Sequence, residues 1–573
     1  MNKRLLTVAL IGAAVTAAAC NNDFLTEVPS DFVSPANFYQ NEGDAITAVN
    51  AAYSTFVDLR SPLGNADYLG RNLFMLINYP TEVLTSRLSA SNERSLIGNY
   101  NDQFNSAHGY LATVWEAAYS GINRANSVID RVPNVPMDAT RKEQIIGEAK
   151  FLRAMHYYFL AGLWGGVPLK LSETSSISGA TLPRSSAAET WAQIEKDLSE
   201  AAAVLPTSWP ANDFGRATKG AALTLLGKAY LQAAATGAGA AGDYQKAADA
   251  FQQVRTLGYT LDPNYASLFD GTNEQSKEII WSLQAIRLAG AGNYLDQWFA
   301  PITATPLYAA GAQNQVQAER PFYDSYNAAD KRKDATWLTS FTNAGKSVVW
   351  SWTNTSVTTT ANYGSTGPVP RKFLDLAAPV NGAGGIDFTV LRYADVLLSL
   401  AEAIDGATGP VPRKFLDLAA PVNGGGGIDF TVLRYADVLL SLAEAIDGST
   451  GPTAEAYGYV NQVRARAGVP NLTAGLSAQA FKDSLYVERR FELALELHGV
   501  FDMRRDWNFA KSRVEAGMAQ IKTLNKSPYT SSVEKFDAAP IPDKWKLYPI
   551  PQNACQLNPK LTQNPGWEDG ICK

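Results

Sequence analysis

Cysteine and histidine are almost missing from this chain of 573 residues, which has three of each. With so few, and with no H-x-x-x-H or C-x-x-C spacing, no zinc site is recognisable, and neither metal nor cofactor is expected. Clustered basic charge is missing as well: the net charge is −6 and Lys and Arg form no stripe, which argues against nucleic acid as a partner. Beyond the N-terminal segment, no run approaches the about 20 apolar residues that a membrane-spanning helix needs.

What is present begins with an export signature. Lys3 and Arg4 precede an apolar run from Leu5 to Ala14, and Val15-Thr16-Ala17-Ala18-Ala19 ends at Cys20. Residues 1–19 therefore predict a cleaved signal, and the thiol of Cys20 is positioned to take lipid, which would tether the chain to a membrane rather than thread it through. An ordinary cleaved signal with a coincidental cysteine is the alternative. In an exported protein Cys555 and Cys572 are a possible disulfide, with two separate thiols as the other option. Hydrophobic residues make up 46% of the chain and aromatics 10%, with 12 Trp and 25 Tyr. That load requires a large core or an exposed recognition surface.

Helical periodicity dominates the first half. Trp115, Ala118, Ile122, Ala125 and Ile129 share one face of a helix that stops before Pro133. Ile145, Ala149, Leu152, His156, Phe159 and Leu163 form a second stripe, closed by Gly165-Gly166 and Pro168. Residues 42–60 and 186–205 add amphipathic helices. Between 217 and 257, Leu226-Gly227, Tyr230, Ala247, Phe251 and Val254 match the helix-turn-helix spacing of tetratricopeptide units, with residues 236–243 bulging at the turn. From about 260 to 365 the pattern turns irregular, with short strands predicted at 277–283 and 347–352. The expected fold is mostly α, a tetratricopeptide-like scaffold carrying a loop-rich binding region with short strands.

One stretch is written twice. Residues 367–408 and 409–450 differ only at Ala383 versus Gly425 and Ala407 versus Ser449. Such identity is unlike a working solenoid, whose repeats diverge, and points to a recent duplication or an assembly error. Two near-identical helices then compete for one groove. The second copy runs directly into the helix predicted at Ala454 to Ala467, so the second copy is expected in the native slot, although the strand preceding the first copy argues the other way.

Taken together these segments resemble the SusD/RagB-like outer-membrane nutrient-binding lipoproteins. The resemblance is carried by CNNDFLTEVPS after the signal, Asn50-Ala51-Ala52-Tyr53, and EAKFLRAMHYYFLAGLWGGVPL from Glu148 to Leu169. It continues through GRATKGAALTLLGKAYLQAA, RYADVLLSLAEA, VNQVRARAG and ERRFELALELHGVFDMRRDW from Glu488 to Trp507, ending with LYPIPQ at 547–552 and LTQNPGW at 561–567. The duplication departs from the family pattern, as does His498-Gly499-Val500. The resemblance implies a lipid-anchored protein on the outer face of a Gram-negative cell, seated as a lid on a SusC-like TonB-dependent transporter. It implies oligosaccharide ligands, or peptides in some members. The divisions expected are 20–260, 261–366, the duplicate at 367–450, and 451–573.

No catalytic pair is visible. Glu148, Arg153, Arg434, Glu444, Glu488 and Asp502 lie beside opposite charges on helices and predict structural ion pairs. Sugar recognition needs flat rings for pyranose faces and amides or charges for hydroxyls. Two regions offer that mixture: Asp67, Tyr68, Arg71, Asn72, Asn99, Tyr100 and Asn101 in the first, and Tyr294, Asp296, Gln297 and Trp298 in the second. A secreted hydrolase and a protein-recruiting scaffold are the competing classes. The first lacks an acid/base pair, and the second does not explain so many loop aromatics.

Overall fold

The computed structural model describes residues 38–56, 68–86, 93–174, 176–285, 295–299, 316–343, 346–349, 367–375, 388–393, 396, 454–524, 540–568 and 570–572. The signal, Cys20, Asp67, Tyr294 and the whole second copy, including Arg434 and Glu444, lie outside the described residues. The first half is helical: α1 (Glu42–Tyr53), α2 (Phe74–Asn78), α3 (Glu93–Gly98), α4 (Gly109–Arg131), α5 (Ala139–Trp164), α6 (Ala187–Val204), α7 (Lys219–Ala235) and α8 (Asp243–Arg255). Later come α9 (Leu295–Phe299), α10 (Ala454–Ala467), α11 (Ala478–Glu492), α12 (Gly499–Arg505) and α13 (Trp507–Leu524).

Local chemistry sets the ends of these helices. Asp138 caps α5 by accepting from the Arg141 amide at 2.8 Å, and Gly165, at φ 75°, ends it. A reciprocal capping box between Ser186 and Glu189 starts α6. The predicted stripe of α5 is buried along its whole length, from Ile145 through His156 to Leu163. Helix α5 packs between α4 and α6, α6 packs on α7, and α7 on α8. At the α7–α8 crossing a β-carbon on Gly227 would stand 2.6 Å from the Phe251 ring, so only glycine permits that approach. This is the helical pair that the tetratricopeptide spacing predicted, with the 236–243 bulge between its members.

Among the described residues the strands form four two-stranded antiparallel ribbons rather than one sheet. They are β1 (Leu84–Ser86) with β3 (Val316–Ala318), β2 (Ile279–Leu283) with β8 (Phe388–Arg392), β4 (Trp337–Leu338) with β7 (Val369–Pro370), and β5 (Ser340–Asn343) with β6 (Lys346–Val349). Strands β7 and β8 belong to the first copy of the duplicated unit. For the strands, the expectation that the second copy fills the slot is therefore corrected; nearly all of the helix of each copy lies outside the described residues. That expectation weighed continuity with α10, whereas the strands of the unit pair with β2 and β4, which lie upstream of both copies.

The seat of the first copy is ionic as well as apolar. Arg392 reaches Glu278 at 3.0 Å and also pairs with Glu496, while Lys372 Nζ lies 2.7 Å from Glu496. Arg332 joins Glu488 at 2.6 Å and Glu492 at 3.0 Å, and Arg466 joins Glu278 at 3.2 Å. Each charge faces an opposite one, which offsets part of the desolvation cost of burying them. The other ionic motifs are structural too. Glu148 sits between Arg141 and Arg216, Arg153 meets Asp197 at 2.7 Å, and Asp502 is ringed by Arg489, Arg490 and Arg505. Burial pushes the Asp502 carboxyl up, but these guanidiniums overcome it and hold the group well below the usual range.

The C-terminal segment straps the N-terminal helices. Trp164 Nε1 donates to the Pro549 carbonyl at 2.9 Å, Tyr548 Oη donates to the Leu76 carbonyl at 2.6 Å, and Arg184 donates to the Thr562 carbonyl at 2.8 Å. Cys555 and Cys572 are disulfide-bonded across a Cα separation of 5.2 Å.

Candidate functional site

The two candidate regions converge at one place. A π-helical turn, Tyr68–Leu73, presents Arg71, and the short helix α9 presents Trp298. The Arg71 guanidinium carbon lies 5.2 Å from the centre of the Trp298 ring, and that of Arg94 on α3 lies 4.2 Å from it. Arg71 also lies 5.8 Å from the Tyr110 ring, and Arg94 Nε donates to Tyr110 Oη at 2.7 Å. Two guanidiniums and two rings thus form one layer, held by cation–π attraction.

Neighbouring groups fix the orientation of that layer. Arg71 Nε donates to Asn72 Oδ1 at 2.9 Å, and Asn72 is itself buried. His108 caps α4 by accepting from the Tyr110 amide, and its Nε2 lies 2.8 Å from the Glu93 carbonyl. Burial pushes the His108 pKa down, against the pull of Glu93, while burial pushes that of Tyr110 up, against Arg94 and Arg71. Arg71 and Arg94 are half-buried, and Trp298 is nearly covered at 5% exposure. Tyr110 is also 5% exposed, so both rings serve as the backing of the layer, and the half-buried Arg71 and Arg94 bring forked donors for hydroxyl or carboxylate oxygens.

The remaining candidates are placed differently. Tyr68, Asn72, Asn99 and Tyr100, proposed from the sequence as ligand candidates, are all buried, as core packing of these aromatics would have it. The Tyr68 ring stacks with Phe56 and His156, with its Oη 3.0 Å from His156 Nδ1. Tyr100 sits at φ 52°, donates to the Pro80 carbonyl, and packs edge-on against Trp545 at 4.9 Å. Their faces are already occupied by protein. Asn101 Oδ1 accepts from the Gln103 amide at 2.8 Å in a turn. Asp67 and Tyr294 lie outside the described residues, as do the side chains of Asp296 and Gln297.

Comparison with known proteins identifies the fold. A profile for the SusD family matches residues 228–407 and 405–567, and another, described as starch-binding associating with outer membrane, matches 61–231. The chain belongs to the SusD family. The break in the first match falls at the junction of the two copies. A SusD-like protein of Formosa agariphila is 25% identical over 584 residues, covering 96% of each chain. The starch-binding protein SusD of Bacteroides thetaiotaomicron is 30% identical over 159 residues, 27% of each chain. A SusD homolog structure from Bacteroides thetaiotaomicron superposes with TM-score 0.73 at 22% identity, covering 93% of this chain and 99% of that one. A laminarin binding SusD-like protein superposes with TM-score 0.65 at 23% identity, covering 92% and 100%.

Within this SusD-family fold, Arg94 and Tyr110 were not singled out from the sequence. Arg94 carried a usable signal. It is the second residue of α3, where the positive end of the helix disfavours a cation, so an arginine there points to a partner outside its own helix.

Proposed function

We propose that this protein captures oligosaccharides at the cell surface, with the layer of Arg71, Arg94, Tyr110 and Trp298 as its principal contact region, and passes them to a SusC-like TonB-dependent transporter. Lipid at Cys20 would hold it to the outer membrane, facing outward, and no bond is cleaved. The observation that carries the reading is the convergence of Trp298 with two guanidiniums and Tyr110, drawn from elements far apart in sequence. Forked guanidinium donors held on an aromatic backing suit the hydroxyls of a sugar. The laminarin binding structural neighbour and the starch-binding relative support the ligand class.

A peptide ligand is the second reading, because paired guanidiniums also suit a carboxylate. Affinity electrophoresis through gels containing laminarin, starch, xylan or polygalacturonan tests both, using wild type, Arg94→Ala and Trp298→Ala. At least one polysaccharide should retard wild type, and each substitution should weaken binding by about tenfold with the fold retained by circular dichroism. Equal retardation of both variants and wild type would remove this layer from the site. Wild type that ignores every glycan but binds a peptide library would favour the second reading.

A further inference from the structure

We propose that the cleft beside Phe214 is a second glycan subsite, one that takes a neutral pyranose unit. The proposal rests on the glycan reading above and extends it to a different surface. The cleft encloses about 360 Å³ and is lined by residues of α1, the turn at 212–216 and the end of β2. That volume lies at the small end of the range usual for ligand clefts, with room for about one or two sugar rings and not for a folded partner.

Phe214 supplies the stacking face. Among the described residues it is the one aromatic among the exposed large hydrophobic side chains, at 38% exposure. A ring left half in water at the lip of a cleft forgoes apolar burial that a stacked sugar would restore. Around it Asn50, Asn212 and Gln284 are exposed at the rim, and their amides can both donate to and accept from hydroxyls.

The wall and floor are fixed in place. Gly215 has φ 90°, and a β-carbon there would stand 2.7 Å from Gln284 Cγ, so glycine lets Gln284 lie against the turn. Gln284 Nε2 donates to Ser282 Oγ at 3.0 Å, and Trp281 Nε1 donates to the Gly215 carbonyl at 2.9 Å. Beneath, Arg216 donates to Asp213 at 2.6 Å, Glu148 at 2.9 Å and Asn50 Oδ1 at 3.0 Å. Glu148 also accepts from Arg141 at 3.0 Å and from Tyr53 Oη at 2.9 Å. Arg216 and Arg141 balance Asp213 and Glu148, while Arg124 donates to the lining Ser54 Oγ at 3.2 Å and to the Ala51 carbonyl at 2.9 Å. With every one of these charges already engaged by protein, the rim amides and the Phe214 ring are left to favour a polyhydroxyl ligand.

The experiment again uses native gels, with the full mature chain and the variants Phe214→Ala, Asn212→Ala/Gln284→Ala and Arg94→Ala, each also followed by thermal melting. Phe214→Ala should reduce affinity for a retarding neutral polysaccharide by about threefold to tenfold without shifting the melt. The double variant should act in the same direction. If Arg94→Ala weakens binding while both cleft variants match wild type, the second subsite is overturned and the principal reading stands. If Phe214→Ala melts earlier and the double variant binds normally, the ring is structural and the proposal is overturned. If only polygalacturonan retards wild type, the neutral assignment fails. If no polysaccharide retards wild type, both readings fall together.

Discussion

His156 sits where a charge is hardest to place. Its ring stacks on Phe56 at 4.1 Å, Nδ1 lies 3.0 Å from Tyr68 Oη, and Nε2 lies 3.2 Å from Thr55 Oγ1. Burial pushes its pKa from the ordinary 6.5 down to about 3. Between these values the unfolded chain holds a proton that the folded chain does not, so stability is full above pH 6.5 and falls as the pH drops toward 3. From pH 7 to pH 5 this one group should cost about 2 kcal/mol. Urea midpoints at the two pH values check this, and His156→Asn should flatten the dependence even if it lowers both midpoints. The placement of His156 on a buried stripe was legible from its spacing to Leu152 and Phe159. Its hydroxyl partners were not, because Thr55 and Tyr68 arrive from elements about a hundred residues earlier. Tyr100 shows the same limit in reverse. Flanked by Asn99 and Asn101, it resembles a loop recognition residue, and only the arrival of Trp545 makes it core.

At the level of elements, long periodic helices were the most legible. The caps and breakers around α4, α5 and α6 stand within a few residues of the helix ends, and α10 spans the predicted Ala454–Ala467. Periodicity and capping are local, so the chain displays them directly. The duplicated unit was harder because its two copies carry the same side chains, and the partners of the seated copy, β2 and β4, lie elsewhere in sequence. Loop-closure entropy changes by only about 0.6 kcal/mol per doubling of length, so connectivity separates the copies weakly. Deleting residues 409–450 should accordingly leave the urea midpoint and glycan retardation unchanged. Deleting 367–408 should do the same, with Lys414 and Arg434 taking the places of Lys372 and Arg392. A collapse of folding in both deletions would show that each copy has a separate seat.

Across the whole molecule, distant parts of the chain are tied by polar contacts that no local pattern announces. The C-terminal strap joins Trp164 to Pro549, Leu76 to Tyr548 and Arg184 to Thr562, and the Cys555–Cys572 bond closes its last loop. In the chain-entropy account a loop of this size contributes roughly 3 kcal/mol. Cys572→Ala should therefore expose residues 547–567 to faster hydrogen exchange and lower the urea midpoint, while leaving the α4–α8 layer protected. Uniform loss of protection throughout would instead show that strap and scaffold unfold as one unit.

The sequence by itself determined the helical class, the stripes that face the core, the ion-pair character of Glu148, Arg153, Glu488 and Asp502, and the family. All of these follow from spacing and residue type along a continuous stretch. Tertiary structure alone decided which copy is seated, which aromatics are core, and that Arg94 and Tyr110 join Arg71 and Trp298 in one layer. Those outcomes depend on which surfaces meet once apolar burial has driven the elements together, and that meeting is a property of three-dimensional packing rather than of neighbouring residues.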